Sequence, residues 1–154
     1  MSLTNNPLLG IWSLKAAIAH HEDGTVEPEA YGPNPSGYIT YTAEGRMMVI
    51  FSKRDRPPLS GNIRSPFSPE MQTLPLVELA NAFSSFNAYA GTYTLSGDTV
   101  IHHVEMASIP NRVGIDLVRT VTFNGNQLRL KTPPLMRDGK LQTFELIWER
   151  ILAQ

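Results

Sequence analysis

The sequence predicts an all-β domain, an eight-stranded antiparallel up-and-down β-barrel with a short helical insertion between its third and fourth strands. Three observations predict it. Gly and Pro, 11 and 12 of the 154 residues, punctuate the chain at short intervals, and the segments between them are rich in Val, Ile, Thr, Tyr and Phe. Glu44-Gly45, Gly97-Asp98, Asn124-Gly125 and Asp138-Gly139 accept the positive φ that tight hairpins need, so successive strands pair antiparallel. With 42% hydrophobic and 18% charged residues, the chain has the apolar content of one domain with one core, residues 1–154.

The first strand, residues 9–19, puts Gly10, Trp12, Leu14 and Ala16 on one face and Ile11, Ser13 and Lys15 on the other. Gly10 leaves room for a neighbouring strand to approach. The second and third strands, residues 37–42 and 46–52, flank Glu44-Gly45 and offer Ile39, Tyr41, Met47, Val49 and Phe51 to the interior.

Residues 53–87 break the pattern. Pro57-Pro58, Ser60-Gly61-Asn62 and Ser65-Pro66 mark a loop, and Lys53-Arg54-Asp55-Arg56 reads as solvated. Ser68-Pro69-Glu70 suits a helix start, and Leu76, Leu79, Ala80 and Phe83 recur at helical spacing. Pro75 divides the segment into a short helix ending near Thr73 and a second one beginning there. The apolar helical face is expected to cover one end of the barrel, as a moving lid or as a fixed plug.

The fourth strand, residues 88–95, carries Tyr89 and Tyr93. In the fifth, residues 99–108, Val100, His102, Val104 and Met106 are placed inside, opposite Ile101, His103 and Glu105. The sixth, residues 115–123, groups Ile115, Leu117, Val121 and Phe123 with Arg119. A guanidinium on that face needs a carboxylate or a ligand, because an unpaired buried charge costs roughly several kcal/mol. The seventh strand covers residues 127–132. The eighth, residues 141–151, aligns Phe144, Leu146, Trp148 and Arg150, and Arg150 on the Trp12 ring would close first strand against last through a cation–π contact.

Composition also excludes. A net charge of -1 without a basic cluster leaves nothing to grip a phosphate backbone, so no nucleic acid is expected. No run approaches the roughly 20 apolar residues of a membrane helix, and the start MSLTNNPLLG lacks a signal core, so a soluble, cytoplasmic protein is expected. Cys is absent. The adjacent pairs His20-His21 and His102-His103 point to opposite faces and cannot chelate one ion, so no metal and no cofactor is expected. One copy or a homodimer fits the sequence equally well.

Leu9-Gly10-Ile11-Trp12, Tyr31-Gly32-Pro33-Asn34-Pro35-Ser36-Gly37-Tyr38, Glu44-Gly45-Arg46-Met47, Ala88-Tyr89-Ala90-Gly91-Thr92-Tyr93, Val100-Ile101-His102-His103-Val104-Glu105, Pro110-Asn111, Arg119 and Trp148-Glu149-Arg150 span nearly the whole chain. In this order they resemble the lipocalin-like domain family of small bacterial and fungal barrels. The resemblance implies a barrel with a small-molecule cavity, and similar barrels include both passive carriers and cofactor-free cyclases or isomerases.

Two functions follow. In the first, His102, Arg119 and Tyr41 perform acid–base chemistry on a small hydrophobic, oxygenated metabolite, as imidazole and phenol groups can near neutral pH. In the second, the same residues orient a ligand that leaves unchanged. Either way the expected wall comprises Trp12, Ile39, Met47, Val49, Phe51, Tyr89 and Tyr93 from the first half of the chain. Val104, Met106, Leu117, Val121, Leu146 and Trp148 complete it. His102 is either a hydrogen-bonded wall residue or the proton-transfer group, and Arg119 either a structural partner or an anchor.

Overall fold

A computed structural model describes residues 5–152. Its sheet comprises β1 (Gly10–His21), β2 (Val26–Glu27), β3 (Ser36–Tyr41), β4 (Arg46–Ser52), β5 (Phe86–Ser96), β6 (Thr99–Ala107), β7 (Asp116–Asn124), β8 (Gln127–Lys131), β9 (Leu135–Arg137) and β10 (Lys140–Arg150). Eight of these close an antiparallel barrel in the order β1-β3-β4-β5-β6-β7-β8-β10, and β10 returns to β1 along Trp12↔Arg150 to His21↔Gln142. The short β2 and β9 extend the barrel beside β1 and β10.

Turn chemistry sets this order. Gly45, Gly97, Gly125, Asp138 and Gly139 all take positive φ at one hairpin or another, and Asp138-Gly139 does so at both central positions, the twist-matched geometry of a two-residue loop. These turns join β3 to β4, β5 to β6, β7 to β8 and β9 to β10. Three of them gather at the end of the barrel where β1 begins, and the longer connections lie at the opposite end.

Two β-bulges change which side chains face inward. On β1 the pairing passes from Leu14↔Trp148 to Ala16↔Ile147, leaving Lys15 unmatched. Beyond it the phase inverts: Ala17 and Ala19 are buried, in place of the expected Ala16. On β6 the pairing passes from Gly91↔Val104 to Ala90↔Met106, and Glu105 is the extra residue. An extra residue opposite one partner rotates everything after it by one pleat. Met106 is therefore turned out of the barrel and 67% exposed, correcting its expected place on the wall, while Glu105 meets Arg46 outside at 2.7 Å.

Gly91 makes the second bulge sterically possible. A Cβ built there would stand 1.9 Å from the His103 carbonyl oxygen, backbone that cannot swing aside. Gly91→Ala is expected to lower unfolding free energy by about 1–3 kcal/mol, the usual cost of overpacking. Urea unfolding checks it, and a loss below about 0.5 kcal/mol would show that β5 and β6 slide apart freely at this point.

Between β4 and β5 lie a short 3-10 helix, Pro69–Thr73, and α1, Leu76–Ser84, with the break at Pro75. None of α1's residues is buried and Leu76 is 82% exposed, while Phe83 and Ser84 at its C-terminal end line the open end of the barrel. Polar contacts hold it to the preceding loop: Arg56 Nη2 donates to the Ala82 carbonyl at 2.9 Å, and Ser60 N and Oγ donate to the Glu78 carboxylate at 2.7 and 2.6 Å.

Candidate functional site

The barrel has a filled end and a hollow end. At the filled end Leu8, Trp12, Tyr41, Met47, Val100 and Leu128 form a core with essentially no exposure. The segment before β1 crosses this end and is tied down by polar contacts. Trp12 Nε1 donates to the Leu8 carbonyl at 2.9 Å, while Arg150 donates from Nη1 to the Leu9 carbonyl at 2.6 Å and from Nη2 to the Pro7 carbonyl at 2.8 Å. The Arg150 guanidinium also lies 4.1 Å from the centre of the Trp12 ring, within cation–π range. Gly10, at φ 119°, has no Cβ to meet this guanidinium.

At the hollow end lies a cavity of about 580 Å³, a size that suits one small ligand. Ile39, Val49, Leu130, Trp148 and His102 line it and are almost fully buried, and Tyr89, Leu117, Arg119, Leu146 and Phe51 line it with them. Of the residues expected on the wall, Trp12, Met47, Val104 and Val121 instead belong to the packed core beneath the cavity, with Tyr93 packed against it, and Tyr41, expected to act in acid–base chemistry, lies in that core too. The alternation of a strand shows which side chains point inward but not their height along the barrel.

The sequence reading also missed part of the wall. Tyr31, Phe83, Phe86, Asn87, Ile109, Arg112 and Leu135 contribute from connections or strand ends at the rim. Loops carry no period to reveal such residues; the cluster of Phe83 and Phe86 was the one visible signal. Tyr31 is anchored edge-on against Phe51, with ring centres 5.1 Å apart.

At the deep end of the cavity His102 is 1% exposed, and both of its ring nitrogens are engaged. Tyr41 Oη lies 2.7 Å from Nε2, and Tyr89 Oη lies 2.8 Å from Nδ1. Burial, with the charges of Arg119 and His103 behind it, lowers the His102 pKa from 6.5 to about 3. Burial likewise raises the Tyr41 phenol well above its usual value, and raises Tyr89 against the opposing pull of Arg119 and Arg112. At neutral pH the triad is an uncharged phenol–imidazole–phenol chain.

A pH dependence follows. The unfolded chain protonates this imidazole near pH 6.5 and the folded one only near 3, so stability is complete above about pH 6.5 and declines by about 1.4 kcal/mol per unit as pH falls below it. Asp23, Glu70 and Glu78, held below their ordinary values by hydrogen bonds to Thr25, Ser68 and Ser60, add their own acid sensitivity only below about pH 4.5. Urea midpoints measured between these limits are expected to fall with pH in the parent and to stay nearly level in His102→Gln. Equal slopes would mean that His102 protonates in the folded barrel.

Arg119 projects from β7 into the apolar cavity. Among the described residues it has no carboxylate partner; Nη1 donates to the carbonyl of its neighbour Val118 at 2.8 Å, and the guanidinium also lies against the Tyr89 phenol. Asp116, the nearest carboxylate in sequence and also on the cavity lining, lies 2.8 Å from His103 Nδ1, and Glu105 is committed to Arg46 on the outside. Burial lowers the Arg119 pKa, opposed by the Tyr89 phenol that faces it. Arg112 stands over the ring of the same phenol, 5.4 Å from its centre. Asn87 and Trp148, also on the wall, each keep a buried polar atom, Oδ1 and Nε1, without a partner among the described residues. The arrangement is an apolar cup with a few polar groups, Arg119 and Tyr89 beside each other among them, set into its wall.

A 4'-hydroxy-3'-methoxypropiophenone carrier protein of Aspergillus oryzae is 37% identical over 83 residues, which cover 48% of this chain and 75% of that one. A crystal structure of an uncharacterized protein from Bacteroides eggerthii aligns over 94% of this chain and 99% of that one, with 12% identity and a TM-score of 0.44. The lipocalin-like domain pattern matches residues 9–151, and the chain belongs to that family.

Proposed function

We propose that the protein binds a small, mostly apolar ligand bearing an oxygen acceptor, and carries it unchanged. The observation that carries this reading is Arg119, a guanidinium in an apolar cavity with no carboxylate partner among the described residues. A cation so placed is costly until an anionic or strongly polar oxygen meets it. The Aspergillus oryzae relative is named as the carrier of an aromatic ketone, and a ligand of that chemistry fits a cup lined by Phe51, Leu117, Leu146 and Trp148 with its oxygen toward Arg119.

The second reading is a cofactor-independent isomerase or cyclase using His102, Arg119 and Tyr41. It draws on the phenol–imidazole–phenol chain at the deep end of the cavity. Against it, both imidazole nitrogens are occupied and the imidazole protonates only near pH 3, which makes it a poor general base at neutral pH.

Titrating the protein with the relative's ketone separates the two. Saturable quenching of tryptophan fluorescence, with the ketone recovered intact, is the expected result. Accumulation of an isomer or a cyclised product would establish the enzyme, and no quenching up to millimolar ketone would remove this ligand class.

A further inference from the structure

The hydrogen-bond chain at the deep end of the cavity has a direction that can be worked out from burial. A neutral imidazole carries one N–H and one bare nitrogen. Tyr41 Oη is buried, does not line the cavity, and among the described residues has His102 Nε2 as its one polar partner. Were the proton on Nε2, it would point at Tyr41 Oη and leave the hydroxyl hydrogen of Tyr41 buried with no acceptor, the arrangement that folded proteins avoid. With the proton on Nδ1, Tyr41 donates to Nε2 and Nδ1–H donates to Tyr89 Oη. Every hydrogen is then satisfied except that of Tyr89, the phenol on the cavity wall.

We infer that the Tyr41–His102–Tyr89 chain fixes Tyr89 Oη as a hydrogen-bond donor into the cavity, so that beside Arg119 the site takes a ketone or carboxylate oxygen and disfavours a group that must donate. Tyr89 touches the ligand; His102 and Tyr41 act through it and are positioning residues. Because the imidazole stays neutral far below physiological pH, the direction of the chain does not reverse in that range. The inference rests on the carrier reading for its ligand but not for the direction of the chain.

The first arm of the test needs no ligand. Nitrogen NMR of the 15N-labelled, empty protein at neutral pH is expected to find His102 protonated at Nδ1 and bare at Nε2, and an Nε2–H tautomer overturns the inference. The second arm uses para-hydroxypropiophenone as probe. Tyr89→Phe is expected to weaken its binding about tenfold and to move the infrared carbonyl stretch of the bound ketone to higher frequency. Tyr41→Phe, which alters no atom of the wall, is expected to mix the two tautomers and weaken binding severalfold. Unchanged affinity and carbonyl frequency in Tyr89→Phe overturn the inference. If the ketone fails to bind the parent protein, the carrier reading for ketones falls, and the tautomer still decides the direction of the chain.

Discussion

Arg119→Met is expected to weaken ligand binding about 100-fold and, at the same time, to leave the empty barrel as stable as before or more so. The affinity figure corresponds to about 2.7 kcal/mol, within the range for a hydrogen bond to a charged group shielded from water. The stability expectation has the opposite sign because the guanidinium is held in the cavity without a carboxylate, met only by neutral oxygens such as the Val118 carbonyl and the Tyr89 phenol. Methionine keeps the length and apolar stem of the side chain while removing a charge that is costly to bury. A structural ion pair would behave differently, losing stability when one member is removed. Isothermal titration with the aromatic ketone and urea unfolding of the ligand-free protein measure the two quantities separately. A variant that unfolds more easily yet binds as tightly would make Arg119 part of the architecture.

Trp12→Ala should have the largest effect on stability of any single change, a loss of about 3–5 kcal/mol. The indole is fully buried in the filled end, receives the Arg150 guanidinium on its face, and donates to the carbonyl of Leu8 in the segment that closes the barrel. Truncation opens a cavity among residues that cannot collapse onto it and removes the contact that fastens β1 to β10 at this end. Trp12→Phe, which keeps a ring and loses only the N–H, is expected to cost about 1–2 kcal/mol. Urea denaturation of both variants checks the order, and equal losses would assign the whole effect to the hydrogen bond. Ligand affinity extrapolated to the folded protein should change little in either, since Trp12 is at the opposite end from the cavity.

The barrel itself was legible because its signals are local. Alternation placed His102 inward and His103 outward, and pairs such as Asp138-Gly139 announced their hairpins. Gly91 was a visible hint of the second bulge, since an isolated glycine within a strand marks close backbone approach, but it stands on β5 while the displaced residue, Glu105, is across the ladder on β6. The bulge at Lys15 had no hint at all, because nothing in the residue type distinguishes it. The three members of the buried chain were each noticed as polar residues of an apolar face. Their assembly depends on register across β3, β4, β5 and β6, which brings Tyr41 and Tyr89 to opposite nitrogens of one ring. The wall residues from loops, Tyr31 and Arg112 among them, had no period to betray them.

The unequal ends of the barrel also determine how it breathes. Amides of Trp12, Tyr41, Met47 and Leu128 lie in the ladder around the fully buried core, where deuterium exchange should require unfolding of the whole molecule. Residues 53–85, with an α1 that buries none of its side chains, can open locally and reclose. Exchange of cargo and lifetime of the fold are thereby governed by different barriers: a ligand can enter and leave many times while the far end never lets go.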